Sequence, residues 1–115
     1  MTDEKITSLT NAEFYILLAL SRGNKHGYAI MKWTEENPGT AIHLGPATLY
    51  RTIRRLLGKG LIEELDERPD PQDDDERRRY YRITGAGRVC AAEETERLAK
   101  LVSLARGSGF TVVRL

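Results

Sequence analysis

Cysteine and histidine are nearly absent: 115 residues contain one cysteine, Cys90, and two histidines, His26 and His43. A single thiol excludes an internal disulfide framework and a multi-cysteine zinc site. Two histidines leave little for a metal centre or for histidine-driven chemistry, so neither metal nor cofactor is expected. Serine is also scarce. Ser8, Ser21, Ser103 and Ser108 are the full set, and none sits in a nucleophile-elbow pattern. No apolar run approaches the ~20 residues that a membrane span needs. The opening MTDEKITSLT carries two acids and lacks the apolar core of a secretory signal. A protein without a membrane partner, located in the cytoplasm, is the expectation.

What is present fits one small globular domain with a charged surface: hydrophobic residues make up 40% and charged residues 30%. The length is sufficient to bury a core without covalent staples. Net charge is only +1, but the charges are segregated. From Asn37 to Ile62 there is no acid, while Arg51, Arg54, Arg55 and Lys59 supply four cations. From Glu63 to Glu76 nine acids face Arg68 alone, and Arg77, Arg78, Arg79 and Arg82 then restore positive charge. The two basic clusters are candidate phosphate contacts, and the acidic stretch between them is one that phosphate repels. Its contiguous carboxylates, Asp70 to Glu76, have no rigid frame to hold a general acid and base apart. They also lack the alternating ligands and glycine turn of a calcium loop. No enzyme is expected.

Local signals order the chain. Thr10 followed by Glu13 predicts a capping box and a helix, apolar over most of its circumference, that ends at Gly23. A second helix is expected from about Asn24 or His26 to Glu36, burying Gly27, Ile30, Met31 and Thr34, and is stopped by Asn37-Pro38-Gly39. Gly45-Pro46 opens a third helix. Its buried stripe is Leu49, Ile53, Leu56 and Leu57, and its outer side is expected to be Thr48, Arg51, Thr52, Arg55 and Lys59, with Arg54 of lesser weight. Leu61 to Leu65 and Arg79 to Ile83 read as paired strands around a long acidic tip. Thr84 caps a fourth helix to about Arg106, striped by Leu98, Leu101, Val102 and Ala105. The resulting class is mainly α with a small β hairpin: a winged helix-turn-helix followed by a C-terminal dimerisation helix. The divisions are 1–8 flexible N-terminus, 9–83 DNA-binding domain, 84–106 dimerisation helix and 107–115 tail. The third helix is the short cationic element that a major-groove reader requires.

Five segments carry a family resemblance: EFYILLAL from Glu13, HGYAI from His26, GPATLYRTIRRLL from Gly45, KGLI from Lys59 and RYYRITGAG from Arg79. With their spacers, about residues 9–90, they resemble the PadR-type transcriptional regulators, and in particular the compact subgroup with a single helix after the wing. The resemblance implies a winged helix-turn-helix, repression of nearby genes, and homodimerisation through the first and last helices. That assigns Phe14 and Leu17, together with Leu98, Leu101, Val102 and Ala105, to the interface. It also implies a pore at the dimer interface that takes a small aromatic or cationic effector. Two departures stand out. The acidic wing tip, PDPQDDDE, differs from family wings ending in glycine and basic residues, and leaves Arg77, Arg78 and Arg79 as the wing's cations. The last helix lacks the tryptophan some drug-binding relatives carry; the one tryptophan, Trp33 on the second helix, reads as a core or interface residue, with a ligand role as its alternative.

The expected DNA contacts are therefore Thr48, Tyr50, Arg51, Thr52, Arg55 and Lys59, with Arg77 to Arg79 from the wing. The partner is double-stranded DNA bearing a palindromic operator. A merely solvated helix would interleave Glu with Arg or Lys at i, i+4, and the third helix does not. Tyr50 is expected to give its ring to the core and its hydroxyl to phosphate. For the wing arginines the alternative is neutralisation of neighbouring acids. For the whole chain it is a winged-helix module that binds a protein or a small molecule without DNA.

Overall fold

The computed structural model describes residues 9–37, 43–65 and 79–113. The expected flexible segment 1–8, the acidic tip with Arg77 and Arg78, and the last two residues lie outside them. Helix α1, Asn11–Ser21, begins with the capping box its sequence predicts. The Glu13 amide donates to Thr10 Oγ1 at 3.1 Å, and the Thr10 amide donates to Glu13 Oε1 at 2.9 Å. This helix touches every other helix and a strand of the sheet. Ile16, Leu17, Ala19 and Leu20 are accordingly buried in the core. The expected role of Leu17 at a subunit interface is thus corrected: with 0% of its surface exposed, it is consumed by its own chain. Phe14 remains half-buried at the edge of that core.

The chain then forms β1, Lys25–His26, and α2, Gly27–Glu36. The two-residue strand was not expected, and it turns the hairpin into a three-stranded sheet. Strand β2, Ile62–Glu64, and strand β3, Tyr80–Ile83, are antiparallel, with Ile62 opposite Ile83; β1 pairs with the other edge of β3, with His26 opposite Tyr80. His26 is a helix-start residue, as its position suggests: its Nδ1 accepts from the Ala29 amide at 3.1 Å, and its ring meets Tyr80 edge-on at 5.1 Å. Trp33 packs against the core from α2, which favours its core reading over a ligand platform.

Helix α3, Pro46–Gly58, places proline in its first turn. It ends in a Schellman motif. Gly60 has φ +74°, the Gly60 amide reaches Leu57 O at 3.0 Å and the Leu61 amide reaches Leu56 O at 3.0 Å. Glycine is needed there because other residues resist the left-handed region, and the turn draws Leu61 back onto Leu56. Helix α4, Gly85–Gly107, is capped by Thr84, whose Oγ1 accepts from the Gly87 amide at 3.0 Å and donates to Gly60 O at 2.8 Å. Only Gly87 and Glu94 of α4 are buried. A second Schellman motif closes it: Gly109 has φ +92°, and the Phe110 amide returns to Ala105 O at 3.0 Å. Among the described residues no helix is long and apolar enough to cross a membrane.

Candidate nucleic-acid interface

Helix α3 buries Leu49, Thr52, Ile53 and Leu56 and exposes Ala47, Arg51, Arg54, Arg55 and Gly58. At 100° per residue, this outer face is rotated by roughly 70° from the one the sequence predicted. Two expectations are corrected by that rotation. Thr52 is 2% exposed, its hydroxyl donating to Thr48 O at 2.7 Å within the same helix. A threonine satisfied by the carbonyl four residues back needs no further partner, so it can enter the core where a groove contact was expected. Arg54, given lesser weight, stands on the exposed face beside Arg51. Arg51 occupies the middle of that face, with Nη2 donating to Thr48 Oγ1 at 3.4 Å.

Lys59 has a partner within its own chain. It caps the C-terminus of α3, and its Nζ donates to Glu13 Oε2 at 2.8 Å. Glu13 is 1% exposed, so Lys59, itself 45% exposed, neutralises a buried carboxylate. Burial alone raises the Glu13 carboxyl. The Lys59 hydrogen bond, the Thr10 amide and the charges of Lys59 and Arg55 outweigh that and hold it below the ordinary carboxylate value. Forty-six residues separate the pair, and no local signal announces it.

Tyr50 lies against Gly27 at the start of α2. A Cβ on Gly27 would meet the Tyr50 hydroxyl and would stand 2.8 Å from Cζ. The glycine of HGY and the tyrosine of TLY are therefore two halves of one contact between α2 and α3. On the wing, Arg82 Nε donates to Glu63 Oε2 at 2.8 Å, and Arg79 Nε lies 3.5 Å from Glu64 Oε2. The described wing arginines thus pair with acids of the facing strand, the alternative weighed against DNA contact.

A second feature lies away from α3. An apolar recess of about 610 Å³ opens between the start of α1, the α3–β2 turn and the first turns of α4. Leu9, Leu61, Ala86, Val89 and Cys90 line it, with Lys59 and Glu93 at its rim. Burial and the nearby Glu93 charge push the Cys90 thiol above its ordinary value, which suits a packing residue better than a reactive one. Below the recess Glu94 accepts from the Leu9 amide at 3.4 Å, and the Arg97 guanidinium holds its carboxyl below the usual range. Among the described residues no cluster of His, Cys, Asp or Glu could hold a metal ion.

This geometry agrees with what the chain is similar to. The family model described as the transcriptional regulator PadR-like family matches residues 16–93. An uncharacterized 37.1 kDa protein in a transposon of Streptomyces fradiae is 35% identical over 91 residues, 79% of this chain. The chain spans only 24% of that relative's length. A transcriptional regulator from Clostridium thermocellum superimposes with a TM-score of 0.71 at 25% identity, covering 87% of this chain and 90% of that one. A PadR family transcription regulator from Clostridium difficile gives a TM-score of 0.71 at 21% identity, with 85% and 97% covered. The chain belongs to the PadR-like family of transcriptional regulators.

Proposed function

We propose that this regulator acts in the cytoplasm as a homodimeric repressor that reads a palindromic operator with α3. The observation that carries the reading is the acid-free outer face of α3, where Arg51 is flanked by Arg54 and Arg55. Ala47 and Thr48 form the leading end beside Pro46. An arginine at the groove floor can bond guanine O6 and N7 together, worth roughly 1–3 kcal/mol of discrimination against a wrong base. Tyr50, with its ring against Gly27, is placed to steady the helix more than to read bases. Residues 9–83 form the DNA-binding unit in this reading, and 84–106 join the two copies through Leu98, Leu101, Val102 and Ala105 with Phe14 beside them. Two copies demand operator half-sites about one helical turn, ~10 base pairs, apart or a multiple of it.

The test is selection of bound fragments from a random DNA pool, followed by titration of the selected operator at several salt concentrations. Arg51→Ala should relax preference at one position in each half-site. Arg51→Ala with Arg55→Ala should reduce affinity and flatten the salt dependence by about one unit for each phosphate left without its cation. Unchanged affinity and specificity in that double variant would remove α3 as the reader. A small aromatic effector, if it acts between the subunits, must weaken operator DNA by the same factor that operator weakens it. Equal effector affinity with and without operator would leave the protein a regulator without that input.

A further inference from the structure

We propose that the segment Phe110–Val113 of one copy fills the apolar recess of a second copy, so that each subunit plugs the other; this rests on the dimer reading above. The recess and the segment lie toward opposite ends of α4. The recess is walled by its first turns through Ala86, Val89 and Cys90, and the Schellman motif at Gly109 releases Phe110 from its last turn. Phe110, Val112 and Val113 are 74–77% exposed, an unusual display for three large apolar side chains of one short ordered segment.

Their own chain cannot use the recess. About 22 Å of helix separate Ser108 from Glu93 at 1.5 Å per residue, whereas the five residues to Val113 reach at most about 17 Å. A two-fold pairing that sets α4 antiparallel on α4 removes the obstacle. With the crossing at Leu101 and Leu104, whose mean direction lies within roughly 40° of the recess side of α4, the start of the segment of one copy and the rim of the other stand roughly 11 and 14 Å from the axis, on the same side of it. A parallel pairing would leave both apolar features in water. The exposed large apolar side chains of α1, α4 and residues 110–113 together present an area on the order of the ~800 Å² per partner that a standard interface buries.

Cys90, on the recess wall, reports on the plug. Sedimentation of the unmodified protein and of a Phe110→Ser, Val112→Ser variant is combined with the rate at which Cys90 reacts with an uncharged maleimide. Both proteins should sediment as dimers, and Cys90 should react roughly tenfold faster in the variant, as a covered site does once uncovered. Equal rates in two dimers would overturn the plug and leave the dimer standing. An unmodified protein that sediments as a monomer would overturn the dimer and the plug with it. A Val112→Cys chain should oxidise to a covalent dimer through Cys90 of its neighbour. A Val112→Cys, Cys90→Ser chain should cross-link with unmodified protein but not with itself; self-cross-linking would show the two segments meeting each other and would overturn the proposal.

Discussion

Glu13 shows how one side chain joins three parts of this fold. It completes the capping box of α1, receives the Lys59 ammonium and lies within the field of Arg55. Because its folded carboxyl is held below the ordinary value of 4.5, its contribution to stability is complete above the unfolded value and is lost as pH falls through the folded one. Urea denaturation between about pH 3 and pH 6 should therefore show a steeper acid limb in the natural protein than in Glu13→Gln. Coincident acid limbs would refute the assignment. Lys59→Ala should destabilise by about 1–3 kcal/mol, because it leaves a buried carboxylate without its donor. Its effect on DNA affinity should vanish once unfolding is accounted for. Gly27→Ala should cost a similar ~1–3 kcal/mol through overpacking against Tyr50. Combining it with Tyr50→Val should cost less than the two changes added, since the two residues touch.

The helices were legible because their signals are local. Thr10 with Glu13, Pro46 and Thr84 each act within one turn, and each starts a helix where the sequence says so. Thr84→Ala should remove about 1 kcal/mol of stability, read as a lowered midpoint in thermal melting. Strand β1 was illegible because two residues are too few to show alternation; Lys25 and His26 are extended only because β3 offers them an edge. The candidate interface was legible in part. Arg51 and Arg55 stand outward, but placing the outer face opposite the leucines put Thr52 in water and Arg54 aside. Threonine's ability to bond its own helix is what defeats that inference. The Lys59–Glu13 pair and the Leu9–Glu94 bond were hidden because they join residues 46 and 85 positions apart.

At the scale of the whole molecule, α4 separates two tasks. Its first turns belong to the domain, through Gly87 and Glu94, and its outer half leaves Leu101, Val102 and Leu104 at 47–70% exposure. Leu101→Glu with Val102→Glu should give sedimenting monomers that remain folded and bind operator far more weakly. Dimers persisting in that variant would place the interface elsewhere. The anchoring of α3 also has a mechanical meaning. Its last turn is pinned to α1 through Lys59 and Glu13, and its first half is wedged on α2 through Tyr50 and Gly27. If α3 is the reading helix, as proposed, these two mounts tie the aim of its arginines to α1 and α2, so a ligand that shifted either helix would act on DNA affinity through them.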